Sequence, residues 1–168
     1  MKINVRNSPD RKFIPYVKQA IEFYGSELMS KRILSDLEIT IKFKTKMEHW
    51  ATAEIDDADI ESKRPRKFVI EIHPWIGVKN IFETLAHEMV HVKQFAKQEI
   101  GNDMIYWKGD LVNVDKVDYY KLPWEFEAYG YEIGLCTKFI TNNKLWNIFE
   151  DIKEPSIPQE KVEIKWKM

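Results

Sequence analysis

The chain predicts an α+β fold: a small, mostly antiparallel sheet packed against a helix over residues 81–96 and a second helix from residue 123. Residues 37–44 alternate apolar and polar side chains with a period of two, the pattern of a half-buried strand, and residues 66–73, rich in Phe, Val and Ile, read as a second strand. Ile81, Leu85, Met89, Val92 and Ala96 instead recur at helical spacing, and Pro123-Trp124-Glu125 supplies the proline and acid that open a helix. With 168 residues, 44% hydrophobic and 32% charged, the chain is long enough to bury one self-contained core. One domain is expected over residues 1–153, with 154–168 as a C-terminal tail.

In chain order, Asn7-Ser8-Pro9-Asp10 offers a cap, a first-turn proline and an acid at the positive end of a helix dipole. Phe13, Val17, Ala20, Ile21, Tyr24 and Leu28 follow at helical spacing and predict a scaffold helix to about Met29. Leu37, Ile39, Ile41 and Phe43 share one face of the first strand. Residues 51–55 give a weaker strand, 56–66 a polar connection containing Pro65, and 66–73 a strand closed by Pro74. Asn80 and Glu83 resemble a capping pair for the next helix, which is expected to stop before Gly101-Asn102. Residues 103–117, centred on Lys108-Gly109-Asp110, predict a short hairpin. The last helix is expected to reach about Ile140 and to resume near 145–149, before Pro155 and Pro158. Val162, Ile164, Trp166 and Met168 then alternate with charges, a pattern that suits a final strand or a partner-binding tail.

Composition narrows the partners. A net charge of −1 gives no support to nucleic acid or an anionic membrane surface. The single cysteine, Cys136, forms no intramolecular disulfide and no cysteine-based zinc site. Residues 1–7 lack the apolar stretch of a signal peptide, and no apolar run reaches membrane-spanning length. A cytoplasmic location is the expectation.

His87-Glu88-Met89-Val90-His91 lies within the predicted helix at 81–96. Residues four apart on a helix share a face, so His87 and His91 can ligate one metal ion, with Glu88 beside them to act on a water. A catalytic zinc site needs a third protein ligand and an open position. No histidine follows His91 in the chain, so a carboxylate is expected. Glu125, Glu127 and Glu132 are the candidates on the following helix.

His87-Glu88-x-x-His91 followed by a helix bearing Glu127-Ala128 resembles the gluzincins, thermolysin-like metallopeptidases whose third zinc ligand comes from a second helix. The string from Asp118 through Leu122-Pro123-Trp124-Glu125-Phe126-Glu127-Ala128 is also similar to small metallopeptidases encoded by bacteriophages and bacteria. The resemblance covers about residues 68–135. It implies a minimal zincin-like domain holding Zn2+ through His87, His91 and Glu127, with Glu88 as general base and a protein or peptide as substrate. Helical placement also favours Glu127. It falls on a stripe with Gly130, Tyr131 and Gly134, where small residues would admit a close neighbour, whereas Glu125 has a sufficient purpose at the helix dipole and Glu132 falls on a different side.

One position departs from the gluzincin pattern. Those enzymes place an aspartate one turn after the ligand glutamate to orient a histidine, and here that place is Tyr131. The role is left open, with Asp118 and Glu132 as candidates. Tyr119, Tyr120 and His73 are candidate donors to a developing oxyanion, and strand 66–73 is a candidate cleft edge for an extended peptide. Two other readings compete: a metal-binding, non-catalytic interaction module, and a SprT-like protease acting near DNA. Glu88 speaks against the first, since a structural site needs no base. The near-neutral charge and the lack of a cysteine–zinc module speak against the second.

Overall fold

Ile3 and Val5 alternate with Lys2, Asn4 and Arg6, and this segment forms strand β1 (Lys2–Arg6) in the computed structural model, which describes residues 1–146. β1 pairs in parallel with β2 (Glu38–Phe43). Parallel neighbours need a crossover of a dozen or more residues. A 3-10 turn at Arg11–Phe13, helix α1 (Ile14–Leu28) and the short helix α2 (Lys31–Asp36) provide it. Asp10 caps the turn, its carboxylate accepting from the Lys12 N–H at 2.8 Å.

Strands β3 (Ala51–Ile55) and β4 (Lys67–Ile72) complete a four-stranded sheet in the order β1-β2-β4-β3. β2 and β4 run parallel, and only β3 and β4 run antiparallel. The expected mostly antiparallel sheet is therefore corrected to a mixed one. Alternation reports which face of a strand is buried but carries no direction, and β1 was not foreseen as a strand. The placement of β4 also removes it as a cleft edge, because β2 and β3 occupy both of its backbone sides. The outer strand on that side is β3.

Ile39, Ile41, Phe43, Phe68, Ile70 and Ile72 are buried, and they join Val17, Ile21 and Tyr24 of α1 in one core. The intervening side chains of β4, Lys67, Val69 and Glu71, are less buried. Helix α3 (Val78–Ala96) packs on α1, β3 and β4 and on a last helix, α4 (Pro123–Asn143). The helix starts three residues earlier than the capping pair suggests. Gly77, at φ 85°, turns the chain into it, while Asn80 donates to the Ile76 carbonyl and Glu83 pairs with Lys79. Surrounded on several sides, α3 is buried at every residue from Leu85 to Ala96.

Between α3 and α4, β5 (Tyr106–Trp107) and β6 (Asp110–Leu111) form the expected hairpin. Lys108 at φ 51° and Gly109 at φ 95° supply the two positive angles of a tight two-residue turn. The left-handed Lys144 ends α4. Residues 147–149 of the expected helical resumption, and the whole tail 154–168, lie outside the described residues. The result is a mixed α/β domain with four α-helices and a small sheet among the described residues. No helix among them is long and apolar enough to cross a membrane.

Candidate metal centre

Long stretches of buried helix are usually apolar, yet α3 buries His87, Glu88, His91, Lys93 and Gln94. Polar side chains in such a place must be paired or serve a site. The two imidazoles face each other, with 3.2 Å between His87 Nε2 and His91 Nε2. The carboxylate that reaches them is Glu125, with Oε2 3.3 Å from His87 Nε2 and Oε1 3.5 Å from His91 Nε2. Glu125 is 3% exposed, and its Oε2 has no hydrogen-bond partner of good geometry. Among the described residues, His87, His91 and Glu125 form the group able to hold a metal ion.

This corrects the expectation for Glu127. Its Oε2 accepts from Lys93 Nζ at 2.7 Å and from Gln94 Nε2 at 3.0 Å, and its Oε1 lies 3.5 Å from Lys108 Nζ. The phase of α4 explains the difference. The helix buries Trp124, Glu125, Ala128, Leu135, Cys136, Phe139 and Ile140, and this stripe is the side turned to its neighbours. Gly130 and Gly134 face open space, so their small size does not mark the contact with α3. A groove of about 680 Å³ lies on the other side of α4, lined by Trp107, Phe126, Gly130 and Tyr131 among others, and Glu127 borders it.

The outer nitrogen of each imidazole is held. Glu132 Oε2 lies 2.9 Å from His87 Nδ1, and Gln94 Oε1 lies 2.8 Å from His91 Nδ1. Glu132 follows Glu125 by seven residues, close to two helical turns, so both carboxylates project from one face. The orienting role left open at Tyr131 therefore falls to Glu132, once Glu125 rather than Glu127 sets the phase. Gln94 was missed altogether. The available signal was its i+3 relation to His91. Asp118 accepts from the Tyr120 backbone N–H and caps the turn at Tyr119–Lys121.

Electrostatics follow from this crowding. Burial works to lower the His87 pKa, but bonding to Glu125 and Glu132 outweighs it and raises the value to about 9. Burial opposes ionisation of Glu125 as well, yet His87 and His91 bring it down to about 2. Glu88 is pushed up to about 7 by burial, against the pull of His91 and His87. Glu127 stays below the usual carboxylate range: burial raises it, but Lys93 and Gln94 lower it more.

Of the three oxyanion-donor candidates, Tyr119 reaches the centre, its hydroxyl interacting with Glu125. Burial, and then the negative charge of Glu125, raise its pKa and keep it a donor. Tyr120 packs against Tyr119 and Tyr129, and Tyr129 stacks edge-on against His87 with 4.6 Å between ring centroids. His73 sits between Trp50 and Trp75, and its Nδ1 accepts from the Trp75 backbone N–H at 3.4 Å.

No protein-family model matches this chain, and neither a curated protein nor a solved structure does. The donor geometry has to speak for itself. Ligand atoms about 2.0–2.1 Å from a tetrahedral zinc ion stand about 3.3 Å from one another. The two imidazole nitrogens stand 3.2 Å apart, one carboxylate oxygen of Glu125 lies 3.3 Å from His87 Nε2 and the other 3.5 Å from His91 Nε2, which is close to that spacing. Two imidazoles and a carboxylate suit zinc and several other first-row divalent ions alike.

Proposed function

We propose that the chain is a gluzincin-like zinc metallopeptidase whose ion is held by His87, His91 and Glu125. The observation that carries the reading is Glu88, buried next to both histidines in a site that already has three ligands. A purely structural centre has no use for that carboxylate, whereas hydrolysis requires a base. Zinc held there supplies a Lewis acid and lowers the pKa of its water toward about 7.

In this reading Glu88 takes the proton of the attacking water and returns it to the leaving amine. Glu132 and Gln94 hold the imidazole rings, so the donor atoms need little rearrangement. In the same reading the Tyr119 hydroxyl, which interacts with Glu125 and is protonated at neutral pH, donates to the carbonyl oxygen as charge develops on it. Peptide bonds are the substrate class that the His-Glu-x-x-His arrangement most often serves.

Glu88→Gln tests the proposal. The variant is expected to retain one equivalent of zinc and to lose roughly 10²–10⁴-fold in cleavage of an unfolded protein substrate. A native chain that binds zinc but cleaves nothing, with or without Glu88, would instead support a metal-binding interaction module.

A further inference from the structure

Gln94 is fully buried, and both ends of its amide are engaged. Nε2 donates to the Trp124 carbonyl at 3.0 Å and to Glu127 Oε2 at 3.0 Å, while Oε1 faces His91 Nδ1 at 2.8 Å. A backbone carbonyl and an ionised carboxylate can only accept, so the amide has one orientation. Flipped, its oxygen would confront two other oxygens. With Oε1 turned to His91, only the tautomer carrying its proton on Nδ1 can donate to it. That tautomer leaves the Nε2 lone pair aimed at His87 and Glu125.

We infer that Gln94, held in place by Glu127, is a positioning residue that locks His91 in its metal-ligating tautomer and ring orientation. The inference rests on the metal-centre reading. Glu127 is itself secured by Lys93 at 2.7 Å, and Lys93 pairs with Glu99 at 2.5 Å. A continuous path runs from His91 through Gln94, Glu127 and Lys93 to Glu99, linking both helices. His87 is served differently, by the carboxylate of Glu132 directly. Glu127 thus acts on the centre at one remove, through an amide that it keeps from turning.

Two-bond 1H–15N NMR of the histidine rings reads the tautomer in the full-length, metal-free protein at a pH where the imidazoles are neutral. Wild-type His91 is expected to carry its proton on Nδ1. Gln94→Met, similar in volume but unable to accept as an amide does, is expected to give a mixture of tautomers. Its zinc affinity, measured by competition with a chromophoric chelator, is expected to fall roughly 10–100-fold. Glu127→Ala is expected to shift both readouts in the same direction by less. The double variant is expected to bind zinc no more weakly than Gln94→Met alone, because Glu127 works through Gln94.

A wild-type His91 protonated on Nε2 overturns the inference, as does a Gln94→Met protein with unchanged tautomer and affinity. Losses that multiply in the double variant give Glu127 an independent role and also overturn it. Should Gln94→Met not fold, the wild-type spectrum and Glu127→Ala decide. Failure of the native chain to bind zinc counts against the metal centre itself, while the tautomer in the metal-free protein separately decides the part played by Gln94.

Discussion

At the scale of single residues, Glu125 and Glu127 are two positions apart on one helix and lie in opposite chemical settings. Glu125 meets two imidazoles, whereas Glu127 meets two lysines and an amide. Glu125→Ala is expected to weaken zinc binding by more than about a hundredfold, exceeding what loss of an outer-shell partner does. Glu127→Ala should keep stoichiometric zinc, and equilibrium dialysis with metal analysis separates the two. The titrations carry a sign of their own. In the metal-free protein His87 is raised from 6.5 to about 9 and Glu88 from 4.5 to about 7. A raised value contributes stability that is complete below the unfolded pKa and is lost as pH rises through the folded one. Metal-free protein is therefore expected to lose stability between about pH 4.5 and 9. Added zinc should stabilise increasingly over the same interval, because its ligands must shed protons to bind. Urea unfolding at several pH values, with and without zinc, checks both trends.

At the scale of elements, the contact between α3 and α4 sets the position of Glu125 and Glu132 relative to the histidines. Ala128 lies in the buried stripe of α4, three residues after Glu125 and four before Glu132, and is fully buried. Enlarging it forces the helices apart or distorts their side chains, at a cost of about 1–3 kcal/mol. Ala128→Leu is expected to reduce unfolding free energy by that amount and zinc affinity with it, as read by urea titration and chelator competition. Phe139→Ala is the contrasting change. Phe139 packs on Phe23, Tyr24 and Phe82, so its removal should cost about 3–5 kcal/mol while zinc stoichiometry is kept.

At the scale of the whole molecule, the centre joins α3 to α4, and a ligand that binds only the folded state stabilises all of it. Zinc at a hundred times its dissociation constant adds about 2.7 kcal/mol. Chelation is therefore expected to lower the melting temperature, and Glu125→Ala should abolish the difference between the two conditions. Cys136 offers a second readout of the same unfolding. Its thiol is buried and pushed up to about 11 by that burial, so a disulfide reagent near pH 8 should react with it only as the chain opens.

The sequence by itself determined most of the elements, though not β1 or α2, and half of the centre. The period of two in β2, the Phe, Val and Ile run of β4, the helical recurrence in α3, the turn at Lys108-Gly109 and the pairing of His87 with His91 are local, because each depends on residues one turn or one strand apart. Tertiary structure decided the strand directions and the other half of the centre. A short link after β2 did not make a hairpin of β2 and β3, since β4 came to lie between them. The carboxylate that meets the two histidines depended on which face α4 turns to α3. Trp124, Ala128, Leu135 and Phe139 mark that face when taken together, but two glycines on the opposite side suggested another. The rotation of one helix against another is fixed by the summed burial of the whole stripe, so two carboxylates equally plausible in a short motif separate only when the helices pack.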